Sequence, residues 1–123
     1  MFVVSEHSPR GIFRIDGVCP QAGACSFQQA RITDLSHWLD DAEFAKDLAS
    51  VEYDPVRQGL VFLSEASGLL FEVDLQGRPL GVRTFGEYAD DPELPQPEGL
   101  AFGPGHTLYV VSEPNLLFTF GKR

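Results

Sequence analysis

Phe62-Leu63-Ser64-Glu65 decides the reading of this chain. The same pattern stands as Val3-Val4-Ser5-Glu6 near one end and as Val110-Val111-Ser112-Glu113 near the other. Each copy runs into a short turn and then a second apolar segment. These segments are Ile12-Phe13-Arg14-Ile15-Asp16, Leu70-Phe71-Glu72-Val73-Asp74 and Leu117-Phe118-Thr119-Phe120-Gly121. Three copies of two linked motifs within 123 residues read as an internal repeat, and such a repeat governs the architecture.

Working outward, a further strand precedes two of the copies. Ser50-Val51-Glu52-Tyr53-Asp54-Pro55 aligns with Gly99-Leu100-Ala101-Phe102-Gly103-Pro104. A fourth follows two copies, as Ala30 to Leu35 and Leu80 to Phe85, the latter reached through Gln76-Gly77-Arg78-Pro79, a hairpin signal. The predicted unit is a four-stranded antiparallel meander, a-b-c-d. The chain then reads b-c-d, a-b-c-d, a-b-c. Strand b is almost continuously apolar, from Leu60 to Leu63 and from Leu108 to Val111, which predicts burial on both faces. Sheets stacked radially about an axis satisfy that demand. The expected fold is therefore all-β: a partial β-propeller of about two and a half four-stranded antiparallel blades, half of a six-bladed-like ring. It forms a single domain over 1–123, with blade parts near 1–36, 47–87 and 97–121. The copies recur 59 and 48 residues apart. The excess over a minimal blade falls in a cysteine loop plus the acidic segment Trp38 to Lys46, read as one or two helical turns, and in a Pro-rich link, Tyr88 to Pro97.

Composition agrees with an all-β chain: 43% hydrophobic residues, ten Phe, twelve Gly and nine Pro. A formal charge of −9 with only nine scattered basic residues argues against nucleic-acid binding. No stretch approaches the roughly 20 apolar residues of a membrane-spanning helix. Met1 runs straight into Phe2-Val3-Val4 without a basic leader, so no signal peptide is expected within this stretch. Cys19 and Cys25 flank Pro-Gln-Ala-Gly-Ala. The pair either closes as a local disulfide, which would contribute about 2 kcal/mol, or stays as two thiols. Its spacing fits neither a redox Cys-x-x-Cys nor a zinc knuckle.

The residues Glu98-Gly99-Leu100-Ala101-Phe102 and Thr107 to Phe118 resemble the closing blade of the SdiA-regulated family. So do Leu63 to Gly68 and Phe71 to Gly77. The resemblance implies a propeller of the cell envelope, exported or membrane-tethered, in proteins about twice this length whose C-terminal half this chain matches. Where that family opens strand a with Asp-Leu-Glu-Gly, this chain has Asp47-Leu48-Ala49-Ser50. The carboxylate is kept at Glu98 and lost at Ala49.

Glu6, Glu65 and Glu113 hold equivalent repeat positions and would fall on one ring. With Glu98, they form the candidate metal-ligating set, and oxygen donors of this kind suit calcium. The competing reading gives each Glu the backbone N–H groups of the b–c turn, with Ser capping the same turn. Glu98 also fits a metal-dependent lactonase or esterase-type hydrolase, which resembles the gluconolactonase and paraoxonase families, although Asn115 is the only Asn available as a partner ligand. His7, His37 and His106 lack regular spacing and are expected to be exposed or to pack within loops. No Ser lies in a Gly-x-Ser-x-Gly context. Trp38 is expected to plug against a sheet, and Asp40, Asp41 and Glu43 to form a solvated face. The expected function is a non-enzymatic binding or scaffold module with no catalytic residue. Its ring would be closed by a homodimer partner or by N-terminal blades outside the chain.

Overall fold

The computed structural model describes residues 1–17, 30–85 and 94–121. Cys19 and Cys25, with much of the Pro-rich link, lie outside the described residues. The described chain is all-β, in three antiparallel sheets. The first holds β1 (Phe2–Ser5), β2 (Gly11–Asp16) and β3 (Arg31–Asp34). The second holds β4 (Ser50–Asp54), β5 (Gly59–Ser64), β6 (Leu69–Asp74) and β7 (Pro79–Thr84). The third holds β8 (Pro97–Gly103), β9 (Thr107–Ser112) and β10 (Leu116–Phe120).

Every strand read from the sequence is present, with ends displaced by a residue or two. The registers match between sheets: Val3 faces Phe13, Phe62 faces Phe71 and Val110 faces Phe118. All six residues of β5 are buried, as its unbroken apolar run predicts. Alternate side chains of the second sheet serve two separate cores. Leu60, Phe62, Phe71 and Val73 turn toward the first sheet, meeting Ile12, Phe2 and Val4. Val61, Leu63 and Leu70 turn toward the third, meeting Leu100, Val110 and Phe118. The second sheet is thus the middle layer.

The acidic segment takes the smaller of the two expected turn counts, as a single 3-10 turn, Ser36–Leu39, placed at its start. Beyond it Ala42, Ala45 and Leu48 insert into the first core, while Asp40, Asp41 and Glu43 face solvent as expected. Arg10 ties this segment down by donating to the Ala42 and Ala45 carbonyls. Trp38 does pack as a plug. Its ring lies over Gly77, where a Cβ would sit 2.5 Å from the indole, and Gly77 has a φ of +82°. Both facts reserve that hairpin position for glycine.

Candidate functional site

The β4–β5 turn begins at Asp54, whose short carboxylate folds back on its own backbone. Oδ1 accepts the N–H of Val56 at 2.8 Å and of Arg57 at 3.1 Å. The matching turn of the third sheet, between β8 and β9, carries His106 back to the same carboxylate. His106 Nε2 lies 2.8 Å from both Asp54 oxygens. An ionised carboxylate only accepts, so the proton sits on Nε2 and the imidazole donates. His106 has a φ of +63°, a conformation uncommon outside glycine. Its ring stacks on Phe102, with centroids 4.9 Å apart and planes at 8°. Hydrogen bond and stack together hold the turn in that conformation. Burial works against ionisation of Asp54. The Arg57 N–H, the His106 ring and the Val56 N–H outweigh it and hold the carboxyl below its usual range.

Beside this pair, β6 presents Glu72, with only 8% of its surface exposed. Oε2 meets the Arg57 guanidinium at 2.8 Å, while Oε1 is sealed from solvent and has no hydrogen-bond partner. Burial pushes the Glu72 carboxyl up, the Arg57 charge opposes this, and the Asp54 charge adds to it. Asp54, Glu72, Arg57 and His106 border a cleft of about 480 Å³ between the second and third sheets. Its apolar walls are formed by Val61, Leu70, Phe102, Leu108 and Phe120, with Arg83 at the β7 side. This arrangement can take a small, largely apolar molecule beside the Glu72 carboxyl, whose Oε1 a ligand donor would reach by displacing the side chains that seal it. It presents a histidine and carboxylates without a Ser or Cys among the lining residues.

The residues singled out in the sequence lie elsewhere. Glu6, Glu65 and Glu113 follow β1, β5 and β9 in the three separate sheets, and Glu98 lies in β8. Glu6, Glu98 and Glu113 are exposed and Glu65 is half-buried. Glu6 stands 3.8 Å from the exposed His7 ring. Among the described residues, no three His, Cys, Asp or Glu side chains gather as a metal-ligating group. Capping of the b–c turn takes a different form from the expected Ser–Glu one. Asp47, buried just before β4, accepts the Ser64 hydroxyl at 2.6 Å and the Ala66 N–H at 3.1 Å. In the third sheet Ser112 donates to the Pro95 carbonyl, and in the first Ser5 donates to the His7 carbonyl at 3.4 Å. The Ser of the motif therefore fastens each b–c corner, and the Glu beside it is exposed in the first and third sheets and half-buried in the second.

A model of the SdiA-regulated family matches residues 1–121. The chain belongs to the SdiA-regulated family. The match runs through all three sheets and so includes both turns that build the Asp54–His106 pair. As a family member the chain departs from the expected strand-a pattern at Ala49, yet the preceding Asp47 keeps a structural task at the Ser64 corner. Sequence reasoning missed the cleft because its partners come from far apart: Asp54 and His106 are 52 residues distant. One signal did exist. In aligned turns, Tyr53-Asp54-Pro55 faces Phe102-Gly103-Pro104, and the second turn ends in a histidine.

Proposed function

We propose that this chain is a non-enzymatic binding module of the cell envelope, built as part of a β-propeller, with the cleft between the second and third sheets as its ligand site. One observation carries the reading. Glu72 is a carboxyl buried on an apolar wall with one oxygen left without a partner. A buried acceptor of this kind costs folding free energy, and a ligand donor would repay that cost. The ligand class that fits is a small apolar molecule bearing one hydrogen-bond donor, an ammonium in the simplest case. The propeller reading draws support from three sheets packed face to face in chain order. The envelope placement rests on the family resemblance.

Phenethylammonium serves as the probe. It should raise the unfolding temperature of the native chain and give saturable heat by calorimetry, and Glu72→Leu should abolish both. Equal heats for the two proteins would reject the cleft as the site. The metal-dependent hydrolase reading is weaker, since it needs converging ligands that the described residues do not assemble. Calcium at Glu6, Glu65, Glu98 and Glu113 rests only on the recurrence of Glu in each sheet and on the Glu98 position. Geometry favours no saturable calcium heat. Saturable heat lost on Glu65→Gln would restore the carboxylate ring. Lactone turnover lost on Glu98→Gln would restore the hydrolase.

A further inference from the structure

We infer that the cleft between the second and third sheets releases a cationic ligand on acidification, with His106 and Glu72 taking up the protons that expel it. This rests on the binding role proposed above and adds the regulation of the same site.

The charges around the cleft carry the inference. Among the described residues, the charged or titratable side chains that border it come from four elements. They are Asp54 and Arg57 from the β4–β5 turn, Glu72 from β6, Arg83 from β7 and His106 from the β8–β9 turn. Glu52 stands on the same face of β4, as the cross-strand partner of Val61. Asp74 is paired with Arg78 in the β6–β7 turn, and Glu98 lies at the other end of β8 from Phe102. Neither borders the cleft. With the histidine neutral, the two lining carboxylates offset the two lining guanidiniums. The Glu72 carboxylate is then the counter-charge for a ligand ammonium.

Acid changes that balance in two steps. The Nε2–H of His106 is committed to Asp54, 2.8 Å from both oxygens, which leaves Nδ1 to receive a proton. The side chain is 19% exposed, so water can deliver it. Histidine is the residue type that gains its charge between pH 8 and pH 5. Asp54 is ionised already: burial opposes this, and the Arg57 N–H and the His106 ring outweigh burial. The new positive charge therefore meets no new negative one.

Glu72 follows. Burial raises its carboxyl, so it takes its proton earlier in acidification than an ordinary carboxylate. A positive charge on His106 favours the ionised form of Glu72, as a ligand ammonium would. The two cations thus compete for one counter-charge. By linkage, the proton on His106 weakens the ligand by the factor by which the ligand weakens that proton. Once both protons are taken up, the lining is more positive by two charges and the counter-charge of the ligand is gone.

Calorimetry with phenethylammonium, which stays charged throughout, at pH 8 and pH 5 tests the proposal. Affinity should fall by about tenfold or more at the lower pH, within the usual range for coupled sites. Phenethyl alcohol, with the same ring and an uncharged donor, should lose far less. His106→Gln should shrink the ratio of the two phenethylammonium affinities. Gln takes a positive φ elsewhere in the chain, at Gln58 and Gln96, and its amide can donate to Asp54 as the imidazole does. Should that variant fail to fold, proton release by the native chain on binding phenethylammonium tests the same linkage. It is read from heats in buffers of differing ionisation enthalpy, and binding without proton release overturns the proposal. Equal affinities at the two pH values overturn it too and leave the cleft reading standing. So does an unchanged ratio in His106→Gln. An equal loss for phenethyl alcohol also overturns it, by showing that the cleft itself comes apart. Absence of phenethylammonium heat at both pH values is the separate failure of the cleft reading, and this proposal falls with it.

Discussion

At the residue scale, three carboxylates in or beside the second sheet carry out different tasks because their surroundings differ. Asp47 is satisfied by a hydroxyl and an N–H, Asp54 by two N–H groups and an imidazole, and Glu72 by Arg57 on one oxygen only. Replacing Asp47 by Ala strands the Ser64 hydroxyl in a site with no solvent access and should cost about 1–3 kcal/mol in urea unfolding. Asp54 and Glu72 should titrate with opposite consequences. The depressed Asp54 carboxyl contributes stability that is present above its unfolded pKa and lost as pH falls through the folded one. The raised Glu72 carboxyl does the reverse: ionisation weakens the fold as pH climbs from the unfolded to the folded pKa. Glu72→Gln should therefore gain stability relative to wild type at pH 7, and the gain should shrink toward pH 4. A gain independent of pH would contradict that account.

At the scale of elements, the hairpins are set by turn chemistry and locked by tertiary packing. The β6–β7 turn shows both. Asp74 Oδ1 accepts the N–H of Gln76 and of Arg78, each at 2.9 Å, and Gly77 supplies the positive φ. The Trp38 ring then occupies the space a side chain at 77 would need. Gly77→Ala combines an unfavourable φ with displacement of that ring and should cost about 1–3 kcal/mol. Trp38 is the only tryptophan, so its fluorescence reports the displacement directly. An unshifted emission maximum with unchanged stability would show that the hairpin can yield without disturbing the plug.

At the scale of the whole molecule, the middle sheet should be the most persistent part. Its β5 strand is buried on both faces and paired on both edges, whereas every residue of β7 is exposed. Amide hydrogen exchange should be slowest in β5 and fastest, among the paired strands, in β7 and β3. Equal protection across the three sheets would mean that the stack opens only as a unit.

The strand plan was readable in the linear order of residues: the thrice-written Ser-Glu corner, period-two alternation and unbroken apolar runs are local properties that each strand carries alone. Trp38 as a plug was also legible, because a large aromatic between short apolar neighbours has few other places to go. The cleft was not. Asp54, Glu72 and His106 each look like an ordinary turn or strand residue until packing of the second sheet on the third brings them together. Only that packing decides which carboxylate loses water, which finds a donor and which is left one short. Sequence alone determined which residues lie on strands and which strands pair; tertiary structure decided the electrostatics, because desolvation depends on neighbours that no local pattern specifies.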